Sequence, residues 1–143
     1  MTQIFEPELR LPVMSGWFVK ESHTLLAADG QANVIASSEP LDPTIDVQQY
    51  AGEQGRLLRN EFPGYDEYEF REELVFGGRP GYIRIFSWTP PDGVPVTQMQ
   101  MYYAADGRGY TATATTPSSG FDRYEDSLRA ILRDVRIQAV GDA

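Results

Sequence analysis

Four groups of side chains in this sequence have the types and spacing to do chemistry. The first is His23, the only histidine. A Ser-His-Asp triad would have to use it as its base. It sits beside a strand-like run, and no serine lies in a motif that activates a nucleophile, so it reads as a surface or edge-strand histidine. The second is the acidic segment Asp66, Glu67, Glu69, Glu72 and Glu73. Paired carboxylates cleave glycosides or hold hard cations. Here the alternation of a strand puts Glu67, Glu69 and Glu73 on one side with Arg71, the pattern of a solvated strand face. The third is Gly77-Gly78-Arg79-Pro80-Gly81. It lacks the Lys-Ser/Thr of a phosphate-binding loop and precedes a strand, so it reads as a hairpin turn. The chain has no cysteine, which removes thiolate catalysis, disulfides and zinc-thiolate sites. The expectation is a protein with no catalytic residue, no metal and no cofactor.

The fourth group is glutamine set among aromatic residues. In Tyr82–Trp88 the side chains Tyr82, Arg84, Phe86 and Trp88 alternate with Ile83 and Ile85. In Val96–Ala104, Val96, Gln98, Gln100 and Tyr102 alternate with Met99, Met101 and Tyr103. Both sides of these strands are thus suited to burial. A buried amide needs partners. Tyr82, Phe86, Gln98, Gln100 and Tyr102 therefore form either a face that receives a partner or a layer beneath the chain's own helices, and the alternative for Gln98 and Gln100 is an exposed part of the sheet. Their alignment depends on a pairing register that alternation does not reveal.

The elements that must position these groups follow from turn and periodicity signals. Asp29-Gly30 separates Thr24–Ala28 from Gln31–Ser37 and predicts a hairpin. Asp46 to Phe62 has a helical stripe of Val47, Tyr50, Ala51, Leu57, Leu58 and Phe62. Asp42 before Pro43 is its expected start, and Phe62-Pro63-Gly64 its stop. Gly52 and Gly55 within it mark either close approach of another backbone or plain tolerance by packing, and tolerance is the expectation. Tyr65–Phe76, Tyr82–Trp88, Val96–Ala104 and Gly109–Thr115 read as strands joined by hairpins. The first of these is expected to be half-buried, with Tyr68, Phe70, Leu74 and Phe76 on its buried side and charges on the other. Phe121 to Val135 forms a second helix with the stripe Phe121, Tyr124, Leu128, Ile131, Leu132 and Val135, capped by Ser118 or Ser119. Hairpins imply an antiparallel sheet. The fold class is α+β: one antiparallel sheet of six to seven strands packed with two amphipathic helices, in a single domain over residues 1–143.

The net charge of −9 repels phosphate backbones and anionic lipid, so nucleic acid is not an expected partner. No apolar stretch approaches ~20 residues, so stable membrane insertion is not expected. Met1-Thr2-Gln3-Ile4-Phe5-Glu6 has none of the blocks of a signal peptide, and a cytoplasmic location is expected.

The order of motifs along nearly the whole chain resembles a known bacterial family. These are Leu11-Pro12 with Gly16-Trp17, then Leu25-Leu26-Ala27-Ala28-Asp29-Gly30-Gln31-Ala32-Asn33-Val34-Ile35, then Ser38-Glu39-Pro40-Leu41. Pro63-Gly64-Tyr65, Gly78-Arg79-Pro80-Gly81-Tyr82, Val96-Thr97-Gln98-Met99-Gln100 and Tyr110-Thr111-Ala112-Thr113-Ala114 follow, with Phe121 and the Leu128, Ile131, Leu132 helix at the end. This resembles the DcrB-like family, whose fold is similar to PsbP. Its stand-alone cytoplasmic members of this size resemble the Eag chaperones of type VI secretion. The resemblance implies a homodimer that holds apolar transmembrane segments of effectors on a concave sheet. It places Gln98 as the strand glutamine of that surface and Leu26 and Ile35 as its groove-lining hairpin. The rival expectation, from another class, is a structural or assembly subunit that docks on a larger complex.

Overall fold

A computed structural model describes residues 3–138. Two strands come first, β1 (Glu21–Leu26) and β2 (Asn33–Pro40). Helix α1 (Val47–Glu61) then carries the chain across the sheet to β3 (Asp66–Val75). From there β4 (Arg79–Trp88), β5 (Val96–Ala105) and β6 (Arg108–Pro117) return by hairpins. A short 3-10 turn (Ser118–Gly120) leads into α2 (Phe121–Asp134). The six strands form one antiparallel sheet in the order β1-β2-β6-β5-β4-β3. The fold class is the expected α+β, with six strands.

Local chemistry accounts for the boundaries. At the β5–β6 turn Asp106 and Gly107 both take positive φ, 53° and 78°, as a two-residue hairpin requires. Helix α1 is started by a capping box. Asp46 Oδ1 accepts from Gln49 N (2.8 Å) and Gln49 Oε1 accepts from Asp46 N (2.9 Å), satisfying two donors that the first turn leaves free. Asp42 is not the cap. Its carboxylate instead holds the preceding turn by accepting from Thr44 N (2.9 Å). Neither Ser118 nor Ser119 caps α2, because the 3-10 turn intervenes and Gly120 takes the cap position without a side-chain bond. Ser118 pairs with Thr97 instead (2.9 Å).

The two helices lie on opposite faces. On one face Leu128 and Leu132 of α2 pack with Val34, Ile85, Met99, Met101, Ala112 and Ala114. On the other, Tyr50 and Ala51 of α1 pack over Tyr102. The central strands are therefore covered on both sides, which burial of an alternating apolar pattern on each side requires. Neither helix spans a whole face. Six strands are about 24 Å wide at about 4.8 Å spacing, and a helix with its side chains is about 10–12 Å. Helix α1 lies over β4 and β5, and α2 lies toward β6 and β2.

Strand β3 departs from expectation twice. It is an edge strand at the margin of both helices, so Tyr68, Phe70 and Leu74 are 60%, 40% and 68% exposed, while Phe76 just beyond its end is buried as expected. Its register also shifts between Glu67 and Glu69. A β-bulge adds one residue and re-aims the side chains on either side of it. Glu69, Arg71 and Glu73 keep to the solvated α2 side and pair with one another. Glu67 is turned onto the α1 side, where its partner is Arg84.

Candidate functional site

The α1 face is half occupied. Beneath α1, Arg84 is buried at 2% exposure. Its guanidinium is held by Glu67 Oε1 (2.8 Å), Ala51 O (3.2 Å) and the Tyr102 hydroxyl (2.8 Å), and it stacks on Phe70 at 4.1 Å. Gly55 of α1 lets it fit, since a Cβ there would lie 2.7 Å from Arg84 Cζ. The glycine thus marks a close approach, by a side chain rather than a backbone. Gly52, which meets nothing, is the one that packing merely tolerates. Phe86 and Tyr102 are 0% exposed in this layer. Phe62 stacks on Trp88 (4.0 Å) and Tyr65 on Phe86 (5.2 Å) at the far end of α1. Burial pushes the Tyr102 hydroxyl up to about 12 and also raises Tyr50 and Tyr65, because a phenolate loses its hydration there.

Of the residues singled out for a partner, Phe86 and Tyr102 therefore belong to the core under α1 and are out of reach of a partner. Tyr82 is half-buried and stacks on Phe70 (5.3 Å) at the β3 edge. The same alternation that buries Phe86 and Tyr102 carries Gln98 and Gln100 to the border of α1, where they are half-buried. Leu26 (70% exposed) and Ile35 (39%) lie beyond that border on the same face. The structure thus brings Leu26, Ile35, Gln98 and Gln100 to one open surface.

The pairing register defines that surface. Three rows cross β1, β2 and β6: Ser22, Ser37 and Thr111; Thr24, Ile35 and Thr113; Leu26, Asn33 and Thr115. They continue into Tyr102, Gln100 and Gln98 of β5. Six of these nine residues carry hydroxyls and none carries a charge, in a chain with 21 acidic and 12 basic residues. The strip is three strands wide, and α1 forms one wall. The N-terminal segment leaves it open: Phe5 packs against His23 (5.9 Å), and the carbonyl of Val19 accepts from Arg108 (2.8 Å), both on the α2 side of the sheet.

Two hydrogen-bond ladders cross from the core to the strip. Arg84 donates to Tyr102, Tyr102 to Gln100 Oε1, and Gln100 Nε2 to Thr113 Oγ1 (3.0 Å). Trp88 Nε1 donates to Gln98 Oε1 (2.8 Å), and Gln98 Nε2 to Thr115 Oγ1 (2.7 Å). Both amides therefore have partners at each end within the protein. Sequence reasoning found the glutamines but missed the threonines. The Thr111-Ala112-Thr113-Ala114-Thr115 alternation held the signal, with small residues for α2 and hydroxyls for the opposite side.

The sites with conventional chemistry stay dispersed. His23 lies on β1 beside Glu21 (3.0 Å). Among the described residues no group of three or more His, Asp or Glu is placed to hold a metal ion, and no helix is long and apolar enough to cross a membrane.

No protein-family model and no curated protein matches this chain. Among solved structures the fold is similar to PA94 of Pseudomonas aeruginosa, a protein of unknown function described as a candidate regulator. The TM-score is 0.76 with 14% identity, over 96% of this chain and 97% of that one. It is also similar to LpqN of Mycobacterium tuberculosis, which is involved in cell envelope biogenesis. There the TM-score is 0.56 with 17% identity, over 91% of this chain and 83% of that one. At these identities the likeness is one of fold.

Proposed function

We propose that this chain is a non-catalytic cytoplasmic chaperone that shields an apolar, transmembrane-type helix of an exported protein. The observation that carries the reading is the uncharged strip of β1, β2 and β6 beside α1. From β6 to β1 it measures about 10 Å between strand axes, the width of one helix. A guest helix laid there would complete the α1 face as a second helix next to α1. Burying its apolar surface contributes about 25 cal/mol per Å². The hydroxyls of Ser37, Thr111 and Thr113 supply polar contacts of the kind that small-residue helix faces accept in membranes. The three rows present no charge that a guest would have to desolvate, and the Lys20–Glu39 pair (3.6 Å) stands beyond Ser37 at one end of the same face.

A photo-crosslinking amino acid at position 113, expressed in the native host, tests the reading. The mapped crosslink should fall within an apolar run of about 20 residues, the length of a transmembrane helix. The same probe at Ser127, exposed on α2, should not reach that run. Crosslinks from position 113 confined to the polar surface of a folded protein would replace the chaperone by a docking subunit of a larger complex.

A further inference from the structure

The two ladders have a direction, and it follows from donor chemistry and burial. Arginine has donors and no acceptor, and the indole N–H only donates. Arg84 therefore obliges Tyr102 to accept, and the proton of the buried Tyr102 has Gln100 Oε1 as its acceptor among the described residues, which turns the Gln100 NH2 to Thr113. Trp88 fixes Gln98 in the same sense toward Thr115. A flipped Gln98 would set its NH2 against the Trp88 N–H, and a flipped Gln100 would take the acceptor from the proton of the buried Tyr102. Each threonine oxygen is thereby occupied as an acceptor, and its own proton points elsewhere.

The two ends differ in what stands opposite. Opposite Thr115 is Asn33, whose Oδ1 is a buried acceptor without a partner among the described residues. Opposite Thr113 is Ile35, which accepts nothing. Among the described residues no acceptor takes the Thr113 proton.

Resting on the reading of the strip as a helix site, we propose that Thr113 is a committed hydrogen-bond donor in the middle of it. Arg84, through Tyr102 and Gln100, is the positioning residue that sets this polarity. The site then selects apolar helices that offer an acceptor at the contact, a side-chain oxygen or a carbonyl left accessible by a small residue. A helical carbonyl already bonded within its helix keeps a second lone pair, and Gly, Ala or Ser beside it lets the donor approach. A helix that offers no acceptor at the contact gains nothing from Thr113.

The test uses a dye-labelled 20-residue leucine–alanine helix with lysine ends, read by fluorescence polarisation. Four consecutive central residues are either methionine or methionine sulfoxide, which adds acceptors and no donor. The quantity read is the ratio of the two dissociation constants, compared between wild type, Thr113→Val and Gln100→Glu. The carboxylate of the last variant accepts from both Tyr102 and Thr113, and so turns the Thr113 proton inward. The ratio should favour the sulfoxide peptide by about fivefold more in wild type than in either variant, as one net hydrogen bond gives. A role in stability alone would leave the ratio unchanged. Thr113→Val decides by itself if circular dichroism shows Gln100→Glu unfolded. Equal ratios in wild type and Thr113→Val, with both peptides bound, overturn the donor assignment and leave the helix site standing. Failure of wild type to bind either peptide overturns both.

Discussion

Two glycines one turn apart in α1 should respond in opposite ways to the same substitution. Gly52→Ala adds a methyl where nothing lies within 4 Å. It should stabilise the protein by about 0.5–1 kcal/mol, the usual difference between the two residues in a helix. Gly55→Ala gains the same helical preference but drives its Cβ to 2.7 Å from Arg84 Cζ. An exposed arginine would swing aside. This one is anchored to Glu67, Ala51 O and Tyr102 and stacked on Phe70, so it resists. Overpacking typically costs about 1–3 kcal/mol, which leaves Gly55→Ala destabilised by about 0.5–2 kcal/mol after the helical gain. If the guanidinium is expelled, the loss approaches the about 3–5 kcal/mol of a broken buried pair. Urea unfolding followed by circular dichroism reads both variants, and the midpoints should move apart at unchanged slope. Equal gains for the two alanines would refute the description of Arg84 as a clamped group.

Alkaline pH should weaken the fold. Burial raises Tyr102 to about 12 and also raises Tyr50 and Tyr65, while an unfolded tyrosine titrates near 10. The stability that these neutral hydroxyls contribute is complete below pH ~10 and is lost as pH rises through 12. The urea midpoint should fall over that interval, and less so in Tyr102→Phe; a flat profile would contradict the burial. The chain should also form a homodimer. Ile4, Leu9, Leu11, Trp17 and Phe18 are 72–89% exposed, an apolar segment that a second copy would cover as an isologous contact. Light scattering should give twice the mass of the chain, and a monomer mass over a wide concentration range would rule this out.

The strands and helices were legible because their signals are local. Alternation set Ile83, Ile85, Met99 and Met101 against Arg84, Phe86, Gln98 and Tyr102, and Asp106-Gly107 fixed a turn. The position of a helix across a face was not legible. Gln100 and Tyr102 are neighbours on one side of one strand, yet α1 buries the second and leaves the first at its border. Two of the seven expected partner residues, Phe86 and Tyr102, were therefore core, Tyr82 lay at the β3 edge, and Leu26, Ile35, Gln98 and Gln100 remained. The bulge in β3 left no periodic trace, so Glu67 read as part of the solvated acidic face when it is the partner of Arg84. The edge position of β3 depends on strand order, which alternation does not encode. Tyr68 and Leu74 accordingly looked more buried than they are.

The central claim is that a helix binds beside α1 on β1, β2 and β6. Chemical-shift mapping of the ¹⁵N-labelled protein with an apolar 20-residue helical peptide tests it most directly. The account predicts perturbed amides at Leu26, Ile35, Ser37, Thr111, Thr113 and Thr115, with Ser127 and Arg129 of α2 unmoved. Shifts confined to α2 or to the exposed edge of β3, or no binding at all, would contradict it.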